Sequence, residues 1–411
     1  MAENVIGGPP APGAREVWAF VKKEFRPKGP WLTPFNVVSA VVILLAAVLL
    51  FIRFTQGLAS ITNLSQDFPW GLWIGFDVMT GVAFAGGGYV LTFVVYVLGV
   101  EKYRPIVRVT VLNAFLAYVF YAGALLLDLG RPWHVVNPII GNSFGLSSVL
   151  FLVAWHFLLY MLAAFLEFSP AAAEWLGLRR LRKVLAAMTI GAVVFGVTLS
   201  TLHQSGLGAL FMMAKDKIYP LWYSEYIPVL FLVSSIFAGL SMVIFEGSIS
   251  DKVFAHRISE SGHKSKTAIL TGLARICAAA MFLYLFLKVL DVTHARNWAY
   301  LFTPMGSWWA VEIVFFVIVP MVFFVIAIKQ TNLPLIRIAA GMTLIGIVLN
   351  RLNLCFFAFK LDAPVAYLPS WMELEVTLAV ILAELIVFRW IVNRMPILSD
   401  PPDWARAQEA H

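Results

Sequence analysis

Residues 67–100 read DFPWGLWIGFDVMTGVAFAGGGYVLTFVVYVLGV, and between residues 72 and 99 only Asp77 carries a charge. A helix needs roughly 20 apolar residues to cross a hydrocarbon core of about 30 Å, whereas a buried strand ends after about four to eight. The stretch therefore reads as a membrane-spanning helix. Similar runs lie on either side of it at residues 35–55, 107–128, 147–167, 184–204, 225–247, 267–290, 308–328, 334–353 and 371–393, which makes about ten spans.

Composition points the same way. Of 411 residues, 61% are hydrophobic and 13% charged, with a mean hydropathy of +0.84, a balance that soluble domains of this length do not sustain. A β-barrel would show short alternating segments instead. The expected fold is all-α: a polytopic transmembrane helix bundle over residues 35–393, with an N-terminal tail (1–34) and a C-terminal tail (394–411). The start carries Gly7, Gly8, Pro9 and Pro10 but no apolar run, so it reads as a flexible tail without a cleavable signal peptide.

The formal net charge of +7 is distributed by side of the membrane rather than gathered into a nucleic-acid surface. Arg15, Lys22, Lys23, Lys102, Arg104, Arg108, Arg179, Arg180, Arg182, Lys183, Lys252, Lys329, Arg337, Arg389 and Arg394 fall on one side. Arg53, Arg131, Lys215, Lys217, Lys288, Arg296, Arg351 and Lys360 fall on the other. By the positive-inside rule the first side is cytoplasmic and holds both termini. Cys277 and Cys355 stand in or beside apolar spans, too few to ligate an iron–sulfur cluster, and read as buried small hydrophobes.

A weak repeat is present. AFAGGGYVL at 83–91 resembles IFAGLSMVI at 236–244, and Leu127, Asp128, Arg131 and Trp133 find echoes in Leu290, Asp291, Arg296 and Trp298. A four-helix unit duplicated in parallel, over about 72–204 and 225–353, with a flanking helix at each end, accounts for the pattern. The small residues Ala85, Gly86, Gly87 and Gly88 suit close helix packing.

Ionisable residues in spans are costly, so their placement is informative. Most gather toward the charge-poor side. Trp70, Trp73 and Asp77 are spaced i, i+3 and i+7, on one helical face. An interfacial aromatic belt explains the tryptophans but not the aspartate. Arg131 is a candidate partner for Asp77, in the helix end LDLGRPWH that also offers Asp128 and His134, and a plain structural ion pair is the alternative. His203 and Gln204 in TLHQSGLGAL stand at the same boundary, where an imidazole either moves a proton or is simply a satisfied polar group. Glu225 and Asn350 are weaker members of this face. Deeper lie His156, Arg275, Glu312 and Glu384, and Glu373 is eleven residues before Glu384 on the same helical face. These residues form either a proton route or a set of interhelical bonds. A haem bundle carrying electrons across a membrane needs axial histidines near both faces. Only His156 lies well inside a span, since His256, His263 and His411 fall in polar segments. No Walker, Rossmann or zinc pattern occurs either.

The stretches DFPWGLWIGFDVMTGVAFAGGGY (67–89), LDLGRPWH (127–134), LHQSGLGAL (202–210), YPLWYSEYIPVLFLVSSIFAGLSMVIFEG (219–247) and NRLN (350–353) resemble the NrfD/polysulfide-reductase membrane-subunit family. LHQSGLG and PLW pull toward its HybB-type branch, the membrane subunits of periplasmic nickel–iron hydrogenases of the hydrogenase-2 kind. The resemblance covers roughly residues 35–395. It implies a haem-free subunit of the bacterial inner membrane, not a catalyst on its own. Such a subunit anchors an extracytoplasmic ferredoxin-like iron–sulfur subunit and the hydrogenase large and small subunits, and exchanges electrons with menaquinone or ubiquinone. It also implies a quinone-site role for Trp73, Asp77, Arg131, His134 and His203. Two other classes stay open from the residues alone: a secondary transporter, and a membrane anchor with no quinone site.

Overall fold

The computed structural model describes residues 14–26, 28, 30, 32–141, 145–254 and 260–405. His256, Arg257, Arg406 and His411 lie outside them. Among the described residues nine helices are long and apolar enough to cross a membrane: α2 (Pro34–Gln56), α3 (Trp73–Val97), α4 (Glu101–Asp128), α5 (Val149–Trp175), α6 (Arg179–Met212), α7 (Ile227–Val253), α8 (Lys266–His294), α9 (Pro304–Gln330) and α10 (Leu333–Phe357). Before them comes α1 (Ala14–Phe25), and α11 (Trp371–Val392) closes the set. The tenth expected span, α11, departs from the other nine in composition. It carries Glu373, Glu375, Glu384 and Arg389, and it packs along α2 and against α3 and α4.

Local chemistry sets the helix ends. Thr33 accepts from the amide of Asn36 just before Pro34, and Ser148, Thr303 and Asn332 cap α5, α9 and α10 in the same way. At α11, Ser370 and Glu373 form a reciprocal capping box. Four stretches are π-helical: Trp73–Thr80, Phe93–Val97, Val314–Ile318 and Asn353–Phe357. Such widened turns rotate the side chains that follow and often mark functional positions.

Helices α3–α6 pack in a ring, α3 on α4, α4 on α5, α5 on α6 and α6 back on α3, and α7–α10 close a second ring. The rings meet along α7, which packs on both α3 and α6, and along α10, which meets the start of α3. A Cβ on Gly239 would stand 1.9 Å from the Gly87 amide nitrogen, and one on Gly86 would stand 2.5 Å from the Ser235 carbonyl oxygen. Backbone thus touches backbone at the seam, the close approach that small residues permit between membrane helices. Beside it the hydroxyls of Tyr89 and Ser235 bond at 2.9 Å.

The N-terminal segment is not irregular throughout, as its composition had suggested. Residues 14–25 form α1 because its aromatic residues find partners, Phe20 against Trp175 and Phe25 against Trp390. Arg394 donates to the Glu24 and Arg26 carbonyls at 2.6 and 2.9 Å. Burial lowers the pKa of that guanidinium, and nearby Glu24 opposes the shift. Beyond α11, Ile397 and Ala405 are buried.

Candidate functional site

On the charge-poor side, α3 and α11 present matching i, i+4 pairs. The Trp73 indole donates to the Glu373 carbonyl at 3.1 Å, and the Thr377 hydroxyl donates to Asp77 Oδ2 at 3.2 Å. Asp77 is buried, and its Oδ1 has no partner. Trp70 does not join this face. It lies before the first turn of α3 and packs edge-on against Phe211, while the π turn starting at Trp73 sets the direction of the later side chains.

Arg131 is not brought to Asp77. It and His134 are exposed in the turn after α4, where His134 Nδ1 bonds the Asn137 amide at 2.9 Å. The buried cation beside the end of α4 is Arg53 of α2. It donates to the Leu127 carbonyl at 2.8 Å and to that of Leu129, and so covers the free carbonyls at the end of α4. It also lies within electrostatic range of Asp128, whose Oδ1 is buried without a partner. The sequence placed Arg53 merely among the charges of a loop face.

A lid of two loops covers this end. The Asn63 amide side chain donates to the Leu368 carbonyl, Ser370 donates to that of Ile61, and Lys360 pairs with Asp67 at 2.5 Å. Glu373 belongs to this lid: it accepts from the amides of Asn63 and Ser370 and from the Tyr367 hydroxyl at 2.5 Å. Burial, with the Glu373 carboxylate adding to it, holds the Tyr367 hydroxyl well above the usual tyrosine range, so it stays a donor.

His203 lies apart from Asp77, inside the first ring. Its Nδ1 donates to the Val153 carbonyl at 3.1 Å, which leaves Nε2 as a lone pair, and Nε2 has no partner. Tyr118 and Phe157 flank the imidazole. Gln204 donates to the Val82 carbonyl at 2.9 Å and leaves its Oε1 free. His156 is half-buried nearby with an unpaired Nδ1. The haem question turns on these two histidines. His203 is wedged between aromatic rings, and neither residue lines the large cavity described below.

Asn350 and Glu312 occupy the second ring instead. Glu312 accepts from Asn350 at 2.7 Å, from the Trp222 indole at 2.8 Å and from Asn353 at 2.5 Å. Arg351 donates to Asn350 and Ser234, both at 2.7 Å, and lies over the Phe231 ring. Glu225, just before α7, is exposed, and so is Arg275 on α8.

The charge-rich half holds a cavity of about 730 Å³ between α3, α4, α7 and α11. Glu384 lines it, together with Glu246, Asn113 and Tyr121, which the sequence did not single out. Asn113 donates to the Glu246 carboxylate. Glu246 ends a long apolar run just before a charged loop, so it reads as a boundary residue until the fold shows its surroundings. Buried Glu174, paired with Arg108 at 2.6 Å and with Arg182 at 3.3 Å, ties α4, α5 and α6 on the same side.

Comparison with known proteins gives one family, described as polysulphide reductase, NrfD, which matches residues 60–359. A Nitratidesulfovibrio vulgaris protein is 41% identical over 92% of this chain and 97% of its own length. The probable Ni/Fe-hydrogenase 2 b-type cytochrome subunit of Escherichia coli is 30% identical, over 88% of this chain and 91% of its own length. The integral membrane subunit of a menaquinone reductase of N. vulgaris is 24% identical, over 82% and 85%.

Proposed function

The chain belongs to the NrfD polysulphide-reductase family, and on that premise we propose that it is the quinone-reactive membrane subunit of a respiratory oxidoreductase complex. It passes electrons between an extracytoplasmic iron–sulfur subunit and menaquinone or ubiquinone. The similarity to a nickel–iron hydrogenase subunit supports a hydrogenase as the catalytic partner. The charge distribution supports cytoplasmic termini in a bacterial inner membrane. The chain is haem-free in this reading. His203 keeps Nε2 as a free lone pair between two aromatic rings, and neither it nor His156 lines the large cavity.

One observation carries the proposal. On the charge-poor side of the first ring, Asp77 Oδ1, Asp128 Oδ1, His203 Nε2 and Gln204 Oε1 are all buried without partners. Buried polar atoms are nearly always bonded, so each of these points to a ligand atom or ordered water beside it. All four are acceptors as drawn, which suits the two hydroxyls of a quinol. Quinone carbonyls are themselves acceptors, so Asp77 or Asp128 can hold a quinone only after taking up a proton. The order of events follows: a carboxyl is protonated, the quinone carbonyl accepts its hydrogen bond, and the proton moves as electrons arrive from the outer face.

Trp73, Asp77 and Asp128 form the wall in this reading, Arg53 sets the local charge, and Arg131 and His134 stand on the rim. His203 acts from the ring interior. Glu225 and Asn350 fall outside the site, and Glu312 and Glu373 serve structure. The test is quinone reduction by the assembled complex carrying Asp77→Asn. Loss of quinol formation with the complex intact is expected, and unchanged reduction would remove Asp77 from the site. A transporter gives no reason for acceptors to collect at one end, and uptake of a solute by vesicles holding this chain alone would favour it.

A further inference from the structure

The cavity between α3, α4, α7 and α11 is open at its side. Ile249 and Val253 of α7 and Leu385 of α11 line it and are 50, 54 and 45% exposed, so it communicates between these two helices with the surroundings of the bundle. Its walls follow α4 from Thr110 to Tyr121 and α11 from Ile381 to Asn393, a depth of about 16–18 Å at 1.5 Å per residue. One leaflet of hydrocarbon, half of a core of about 30 Å, is about 15 Å deep. The slot is as long as the acyl layer it opens on.

Most of its lining is apolar, with Phe84 and Leu116 at the back and Met242, Ile381 and Phe388 at the sides. Its carboxyls are engaged from within the wall: Glu246 accepts from Asn113, and Glu384 bonds the Tyr121 hydroxyl. Water needs about two to four polar partners, so such a slot suits an apolar guest. The mouth has the opposite character. Lys28 and Arg389 stand there with Thr33 and Asn393. Arg389 donates to Asn36 Oδ1 at 3.0 Å, and exposed Lys28 pairs with Glu24 at 3.1 Å. Arg394 reaches the same Glu24 at 3.7 Å, so these three cations share one carboxylate. Beside the mouth, α1 sets Phe25 against Trp390 and leaves Trp18 exposed, as helices lying in a headgroup layer do.

We propose that this slot binds one anionic phospholipid of the leaflet on the charge-rich side, with an acyl chain in the cavity and the phosphate on Lys28 and Arg389. Burial of the chain holds the lipid whatever its headgroup, and the excess of cations at the mouth selects a headgroup that brings net negative charge. The chain fills the gap between α7 and α11, which otherwise meet at the mouth through Phe254 and Phe388. It thereby braces α11, the helix that carries Thr377 and Glu373, against the second ring. No electron or proton transfer enters this inference, so it stands or falls apart from the quinone reading.

The test uses the complex as purified, placed in phosphatidylcholine vesicles with a trace of phosphatidylglycerol that carries a photoactivatable diazirine at the end of one acyl chain. Illumination is expected to label Ala117, Met242 and Ile381, read by peptide mass spectrometry, and to label Val253 and Phe388 instead when the diazirine sits near the glycerol. Unlabelled phosphatidylglycerol is expected to displace the probe far more effectively than further phosphatidylcholine. Lys28→Gln with Arg389→Gln should weaken binding roughly 25- to 30-fold, about fivefold for each cation lost, and Lys28→Arg with Arg389→Lys should restore it. Label confined to the outer helix faces overturns the proposal, as does equal displacement by the two lipids. A photoactivatable menaquinone that labels the same wall and displaces the phospholipid overturns it too, because the slot then holds a quinone tail.

Discussion

In the second ring Glu312 receives three hydrogen bonds from Asn350, Trp222 and Asn353, and the partners are themselves held by Arg351 and Trp308. In the first ring Asp77 receives one, from Thr377, and His203 uses one nitrogen of two. Both carboxylates are buried near the charge-poor ends of ringed helices. Where both carboxylate oxygens are bonded, the polar cluster holds helices in register. Where acceptors are left over, the proposed reading puts a chemical partner, and it assigns stability to one ring and reactivity to the other.

The sharpest way to break this contrast is to remove one carboxylate from each ring. Asp77→Asn is expected to lower quinone turnover by about 10²–10⁴-fold, the range of a lost acid–base group, with little change in thermal stability in detergent. Glu312→Ala is expected to do the reverse. It strands the Trp222 indole and two asparagines, at about 1–3 kcal/mol for a buried donor left unbonded, seen as a lower aggregation temperature, while turnover of the surviving complex holds. If the two variants behave alike, the rings do not differ in role. Gly239→Ala tests whether the rings are held as one body. Its methyl meets the Gly87 backbone, and overpacking of about 1–3 kcal/mol should appear as cooperative destabilisation of the whole bundle. Ser370→Ala removes the cap beneath the lid at about 1 kcal/mol, and should raise protease sensitivity of residues 358–370 with turnover nearly unchanged.

How far these differences were visible beforehand depends on the range of the forces involved. Spans are set by runs of apolar residues, and nine helices lie at their expected places, while α11 is helical where expected although its acids set it apart from those nine. Close packing at 83–91 followed from its small residues, but that its neighbour is the similar stretch 236–244 did not. Pairings across the chain were another matter. Thr377 is 300 residues from Asp77, and nothing local marks it. Arg131 looked like the partner because it stood near Asp128 in sequence, but the turn after α4 carries it outward and leaves Arg53 as the buried cation beside the end of that helix. Glu246 resembled a helix-end charge, and only the fold turns it into a cavity wall. Spacing also assumes 3.6 residues per turn, and the π turn at Trp73–Thr80 departs from that where Trp70 was aligned with Trp73.

The contact of Gly86 and Gly87 with Ser235 and Gly239 has one more consequence. An interface that rocks needs side chains able to exchange one set of neighbours for another. Here main chain abuts main chain, and no rotamer is available to change. The two rings are welded at mid-membrane, so the molecule is poorly suited to alternating access and well suited to hold a fixed distance between an electron donor on one face and an acceptor in the bilayer.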